Sequence, residues 1–108
     1  MNVSVYAIPG IPRLDSPENI LQVVCDLNKI SPIEVMSNLK SRKRELVETR
    51  HISITLMYKI LKMSNYKAGA FFNKDHATAI HARKTIANLR ETNKEFRLKT
   101  DSLFNYNG

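Results

Sequence analysis

The segment that begins at Asp75 constrains the fold of this chain most, because it combines a helix start with one continuous apolar stripe. Asp75 is a favoured N-cap residue, since its carboxylate can accept hydrogen bonds from the free amides of a first helical turn. At 100° per residue, the pattern predicts a helix with two opposite faces. The face predicted to be buried carries Ala79, Ala82, Ile86 and Leu89. The face predicted to be exposed carries Ala77, His81, Lys84 and Asn88, with Thr78 and Thr85 at its margin. Such a helix has the shape and the polar groups of a major-groove reader.

Helix-start signals recur on both sides of this segment. Ser16-Pro17 and Ser31-Pro32 each pair a capping side chain with a proline whose φ suits the first helical turn. Apolar residues then recur at three- and four-residue spacing, which is typical of helices packed on a core. The predicted helices cover residues 17–28, a short stretch after Pro32, 45–62, 66–72, the segment after Asp75, and 94–103. Since period-two alternation is absent beyond the first few residues, we predict an all-α fold of five to six helices.

The short predicted helix over residues 66–72, the turn at Asn73-Lys74 and the helix after Asp75 together predict a helix-turn-helix. A chain of 108 residues is long enough for one domain with a modest core. Near its start, prolines and a glycine interrupt regular structure. We therefore expect an extended N-terminal arm over residues 1–15, a helical domain over residues 16–103 and a flexible tail over residues 104–108.

The charge balance of the chain favours a polyanionic partner. Seventeen Lys and Arg against ten Asp and Glu give a net charge of +7 and a pI near 9.8. This charge suits nucleic acid or an anionic membrane surface. No stretch has the roughly 20 apolar residues of a membrane span and no secretory signal is visible, so we expect a cytoplasmic protein without a membrane partner. Its three glycines cannot build a phosphate-binding loop, which excludes a nucleotide site of that type.

Catalysis and cofactors are not indicated by the reactive side chains. Cys25 is the one cysteine and lies in an apolar run, so we expect a small core residue there. His76 and His81 are five residues apart, about 140° round a helix, and so cannot share a metal as residues four apart can. With His51 as the third histidine and no paired carboxylates at a useful spacing, we predict no enzyme activity, no metal and no cofactor.

A cationic run precedes the long predicted helix. Within five residues it contains Lys40, Arg42, Lys43 and Arg44. One interpretation is a solvated loop. The other, which we favour, is a loop that lies against DNA phosphates with one arginine in the minor groove, because the adjacent helix N-terminus also attracts anions.

Arg50 falls on the apolar side of the long helix, between Val47 and Ile54. Either it covers the edge of the core as a snorkelling or ion-paired arginine, or the helix overhangs the core and directs Arg50 at the DNA backbone. His51, one position further, fits both interpretations.

Together these features resemble the C-terminal DNA-binding domain, domain IV, of the bacterial chromosomal replication initiator family (DnaA), over residues 17–92. The family signature is roughly Phe-Gly-Gly-Arg-Asp-His-Thr-Thr-Val-x-His-Ala, and residues 71–82 here are Phe-Phe-Asn-Lys-Asp-His-Ala-Thr-Ala-Ile-His-Ala. The order of a first helix, a basic loop, a long helix and this signature also matches. The resemblance implies a compact helical fold of the domain IV, Trp-repressor-like type.

The resemblance also implies roles for individual residues. Asp75, His76, Ala77 and Thr78 match positions that enter the major groove. Arg44, or its neighbour Arg42, matches a minor-groove arginine, and Arg50-His51 match an Arg-Gln pair that contacts the DNA backbone. The complete candidate DNA-binding set is Lys40, Arg42, Lys43, Arg44, Arg50, His51, Lys74, Asp75, His76, Ala77, Thr78, His81 and Lys84.

Three departures from the family pattern stand out. Ala77 replaces the first of two threonines, so a methyl group is kept and a hydroxyl is lost. Phe72-Asn73 replace two glycines of the turn, which predicts a changed turn conformation. The segment between Ser64 and Phe71 is one residue shorter.

The family's ATPase and oligomerisation modules have no counterpart here, so we expect a stand-alone, monomeric domain. The predicted function is sequence-specific binding of double-stranded DNA that regulates replication initiation or transcription. The alternative is a helical protein-interaction module with a degenerate DNA-binding face.

Overall fold

The structure is a computed structural model that describes residues 13–106. Its six helices are α1 (Pro17–Asn28), α2 (Pro32–Ser37), α3 (Arg44–Leu61), α4 (Asn65–Phe71), α5 (His76–Thr92) and α6 (Lys94–Phe104). Within residues 13–106 there is no strand. The prediction of an all-α fold of five to six helices is confirmed, and the helices predicted over residues 17–28, 45–62, 66–72 and 94–103 have ends within one residue of the observed ones.

Polar side chains fix where most of these helices begin. The N-cap side chain accepts a hydrogen bond from the backbone N–H three residues later in five helices, and these caps are Ser16, Ser31, Ser64, Asp75 and Asn93. Such a bond satisfies one of the free amides of the first turn. Helix α3 begins differently, because its N-cap is Lys43 and no side chain caps it.

Helix α3 lies in the middle of the fold and packs against both α1 and α5. The sequence predicts a single apolar stripe on this helix, which includes Ile54 and Met57 and ends at Leu61. The observed buried set also contains Ile52 and Leu56, which are fully buried. A helix that packs on two neighbours is buried on more than one face, so one stripe describes only part of its core.

The turn between α4 and α5 shows how the chain accommodates the residues that replace two family glycines. Phe72 is fully buried and adds its ring to the core. Asn73 has a φ of 57°, in the left-handed region that glycine enters freely and asparagine tolerates better than most residues. The turn is closed by hydrogen bonds from Asn73 N–H to Ala70 O and from Lys74 N–H to Gly69 O, both 2.9 Å long.

Both ends of the described chain pack against the helical body. Leu14 is only 1% exposed, and its backbone N–H donates to the Tyr106 hydroxyl at 3.4 Å. Phe104 and Tyr106 also pack against the core. Leu14, Phe104 and Tyr106 thus join both ends of the described chain to the helical body. The division into an arm over residues 1–15, a helical domain over residues 16–103 and a tail over residues 104–108 stays a prediction. Residues 1–12 of the predicted arm and residues 107–108 lie outside the described residues.

Cys25 is fully buried in the core, as its apolar neighbours predict. Burial raises the pKa of its thiol to about 12, so the thiol is neutral at physiological pH. Among the described residues, no group of three or more His, Cys, Asp or Glu side chains could hold a metal ion. None of the helices in this part of the chain has the length and apolar character needed to cross a membrane.

Candidate nucleic-acid interface

Helix α5 has the two faces that its sequence predicts. Ala79, Ala82 and Ile86 are buried and Leu89 is partly buried against the core. On the opposite side Ala77, His81, Lys84 and Asn88 are exposed, and Thr78 and Thr85 are intermediate. We call Asp75, His76, Ala77, Thr78, His81, Lys84 and Asn88 the outer face of α5. This face is open to a partner along its whole length, which is about 25 Å for a 17-residue helix.

Asp75 and Thr78 are joined by hydrogen bonds at the start of α5. One carboxylate oxygen of Asp75 accepts from the Thr78 backbone N–H at 2.9 Å and from the Thr78 hydroxyl at 2.8 Å. These two hydrogen bonds, the backbone bond first, lower the pKa of Asp75 below its usual value, so the carboxylate is ionised at neutral pH. Because the Thr78 hydroxyl proton is used on Asp75, the hydroxyl oxygen is left as an acceptor for a base.

His76 is stacked on Tyr66 of α4. The ring centroids are 4.4 Å apart and the ring planes differ by 26°. Tyr66 is 67% exposed, so this stack sits at the surface beside the first turn of α5. Tyr66 is not among the site residues predicted from the sequence. The signal that could have found it is the cap at Ser64, which places Tyr66 in the first turn of α4 beside the helix-turn-helix.

The basic run forms the loop that leads into α3. Lys40, Arg42, Lys43 and Arg44 are all exposed, and Arg44 is the first residue of α3. Ser41 stabilises the loop, since its N–H donates to Asn38 O at 3.0 Å and its hydroxyl accepts from Lys43 N–H at 3.1 Å. The four cations therefore surround a helix N-terminus that lacks a side-chain cap.

Arg50 lies beneath this loop and not on the surface. It is 7% exposed, and its guanidinium donates to Ser41 O at 2.8 Å and to Asn38 O at 3.4 Å. Burial lowers its pKa, but a guanidinium stays charged at neutral pH. This placement fits the interpretation of an arginine at the edge of the core, and its guanidinium donates to loop carbonyls and not to a carboxylate. The interpretation that directs Arg50 at the DNA backbone stays a prediction.

A groove joins the basic loop to α5. Arg42 and Arg44 line it from the loop side, His51 lines it from α3, and Thr85 lines it from α5. Its volume is about 460 Å³. The ring of His81 on the outer face of α5 contacts His51 edge to face, with centroids 6.0 Å apart. Of the predicted site residues, Arg42, Arg44, His51 and His81 thus lie close together.

The two remaining candidate lysines flank the outer face. Lys74 is partly buried directly before Asp75, and Lys84 is exposed one turn beyond His81. Both can place an ammonium group beside a duplex that lies on α5.

The opposite flank of α5 is occupied by internal contacts. A cleft of about 830 Å³ lies there between α3, α5 and α6. Its arginines are engaged: Arg83 lies 3.7 Å from the Tyr58 ring centroid, and Arg90 pairs with Asp101 at 3.0 Å. These cations stabilise the packing of α5 and are not part of the outer face.

A short helix, a tight turn and an exposed, polar second helix beside a basic loop define a helix-turn-helix DNA-binding domain. A family model described as "Bacterial dnaA protein helix-turn-helix" matches residues 17–86. The chain belongs to this family, whose helix-turn-helix is a DNA-binding module and not a catalytic one.

Full-length relatives show the same similarity. The chain is 37% identical over 87 residues, 80% of its length, to the chromosomal replication initiator protein DnaA of Bacteroides thetaiotaomicron. It is 36% identical over 84 residues to the DnaA protein of Laribacter hongkongensis and 32% identical over 97 residues to that of Flavobacterium psychrophilum. The matched regions cover 77% and 89% of this chain in those two comparisons. The chain spans only 17% to 20% of the length of these relatives. No solved structure matches the chain significantly.

Proposed function

We propose that this chain binds double-stranded DNA in a sequence-specific manner, with the outer face of α5 in the major groove. An α-helix fits the major groove of B-DNA, where each base pair presents a distinct pattern of hydrogen-bonding groups. Asp75, His76 and Thr78 supply acceptors and a donor at the first turn, and Ala77 supplies a methyl group for a thymine methyl. These are the side chains that read bases in the proposal.

The basic loop supplies the second part of the proposed interface. Arg42 or Arg44 enters the minor groove, where a narrow A·T tract concentrates negative potential. Lys40, Lys43, Lys74 and Lys84 neutralise phosphates, together with His51 and His81 in the groove. Arg50 acts indirectly, because it sets the position of the loop. One observation carries this proposal: Arg42 and Arg44 line the same groove as His51, and the ring of His51 contacts His81 of the outer face of α5.

The relatives are named as replication initiators, and from this we infer the biological setting. The chain acts as a monomer at initiator-type DNA sites and regulates replication initiation or transcription in the bacterial cytoplasm. No nucleotide takes part in the proposed binding. A helical protein-interaction module, which is the competing function, would use the same exposed helices without the phosphate contacts.

The salt dependence of duplex binding tests this function. We expect the logarithm of the association constant to fall with the logarithm of salt concentration by about 0.9 for each phosphate neutralised. Lys43→Ala should lower that slope by about 1 and weaken binding to all sequences. The measurement is fluorescence anisotropy of a labelled duplex over a salt series.

Lys59→Ala is the matched control, since it removes one cation from the cleft on the opposite flank. Its slope should equal that of the wild-type chain. A shallow slope for the wild-type chain, or equal slopes for Lys43→Ala and Lys59→Ala that are both lowered, would favour the protein-interaction module.

A further inference from the structure

We propose that His51 and His81 form a proton-coupled phosphate site, so that a DNA phosphate in the groove between α3 and α5 is bound together with a proton. This inference rests on the proposed function, because a duplex must lie on the outer face of α5 for its backbone to reach the groove. It adds a regulation of that function, namely tighter DNA binding as the pH falls.

The imidazole rings of His51 on α3 and His81 on α5 lie next to each other in the folded chain. The His51 and His81 rings meet edge to face at 86°, with centroids 6.0 Å apart. Thr85 Oγ1 lies 3.4 Å from His81 Nε2, and Arg42 and Arg44 stand on the loop side of the groove. A phosphate oxygen entering here would meet imidazole, hydroxyl and guanidinium groups together. Protonation makes both nitrogens of an imidazole donors, which a phosphate can accept.

The charged groups around His51 are almost all cationic. On its own helix they are Arg44, Arg50 and Glu48, and on the loop Arg42 faces the same groove. From α5 the facing group is His81. The one carboxylate, Glu48, is already paired with Lys99 of α6 at 2.8 Å. Phe96, which lines the groove from α6, is uncharged. No free negative charge among the described residues therefore balances a proton on His51.

This environment keeps His51 neutral in the free protein. Burial first, and then His81 and Arg50, lower the pKa of His51 below its usual value of 6.5. A bound phosphate brings a negative charge that favours the imidazolium form and raises that pKa. The complex then holds more protons than the free protein near pH 6, so the affinity rises as the pH falls.

The same shift acts on folding with a definite sign. A pKa of His51 that is lower in the folded state means that the unfolded chain takes up the proton more readily. The stability that neutral His51 contributes to the folded state is therefore complete above pH 6.5. It is lost as the pH falls through the pKa that His51 has in the folded state. Binding measurements need a parallel check by circular dichroism that each variant is folded at the lowest pH used.

The test compares the wild-type chain with His51→Gln, His81→Gln and the double variant. Glutamine keeps a hydrogen-bonding side chain and does not titrate. At constant ionic strength, the wild-type chain should bind a duplex about three- to tenfold more tightly at about pH 5.5 than at about pH 7.5. The pH dependence should be clearly weaker in the double variant than in the wild-type chain, and His51→Gln should account for most of that difference. His76 is unchanged in every variant, so the difference reports on His51 and His81.

Calorimetry provides a second readout that a merely structural role would not change. In buffers of different ionisation enthalpy at about pH 6.5, binding by the wild-type chain should take up a larger fraction of a proton than binding by the double variant. An equal pH dependence in the wild-type chain and the double variant would overturn the proton-coupled site and leave the proposed function standing. An absence of duplex binding at every pH would instead overturn the proposed function itself.

Discussion

Replacing Arg50 by alanine is expected to weaken the binding of this chain to every duplex and to lower its free energy of unfolding by about 2–3 kcal/mol. The physical reason is that Arg50 is 7% exposed and donates to the carbonyls of Asn38 and Ser41. Without it, Ser41 O loses its donor, Asn38 O keeps only the Ser41 N–H, and the cations of the loop lose their fixed position. The preference among sequences should stay unchanged, because Arg50 does not lie on the outer face of α5.

Chemical denaturation and anisotropy measure the two effects of Arg50→Ala. Arg97→Ala is the matched control, since Arg97 also donates to a backbone carbonyl, Arg90 O at 3.4 Å, but between α5 and α6. It should leave duplex binding close to wild type. If Arg50→Ala weakens binding to one sequence and spares the others, the residue contacts bases and the loop-holding role is wrong.

Gly69→Ala should have the second large effect, at the turn of the helix-turn-helix. A Cβ at this position would lie 2.6 Å from Asp75 O and 3.0 Å from Lys74 O. Both are backbone atoms, so the turn must shift to make room. We expect a loss of stability of about 2–4 kcal/mol, although alanine favours a helix by about 1 kcal/mol over glycine. Duplex binding should fall as well, because the shift moves the first turn of α5.

The reverse exchange at the next position is the control for Gly69→Ala. Ala70 is exposed, so Ala70→Gly should cost only about the 1 kcal/mol of helix propensity and should not move the turn. Thermal unfolding and duplex binding are measured for both variants. A Gly69→Ala chain that is as stable as the wild type would show that α4 and α5 do not need this close approach.

The faces of α5 could be predicted from the sequence because their cause is local. Small apolar residues recur at the helical period behind a capping aspartate, and one side of α5 packs on the core. Helix α3 was predicted less completely, since its burial depends on neighbours from two directions. The backbone conformation at Asn73 could not be predicted from the residue type alone, because the positive φ there is required by the turn.

The groove could not be predicted, because it depends on contacts between distant parts of the chain. His51 and His81 are separated by 30 positions and meet only when α3 and α5 pack. Whether Arg50 is buried or exposed depends on the path of the loop above it, and a helical wheel does not describe that path. The stack of Tyr66 on His76 likewise requires the turn of the helix-turn-helix to be folded.

The most direct test of sequence-specific binding is selection from a pool of random duplexes by the wild-type chain and by His76→Ala, followed by sequencing of the bound fraction. We expect the wild-type chain to enrich a single motif, and His76→Ala to lose selectivity at one position of that motif by about 1–3 kcal/mol. Recovery of unenriched, random duplexes by the wild-type chain, at a salt concentration where it still binds, would contradict the account.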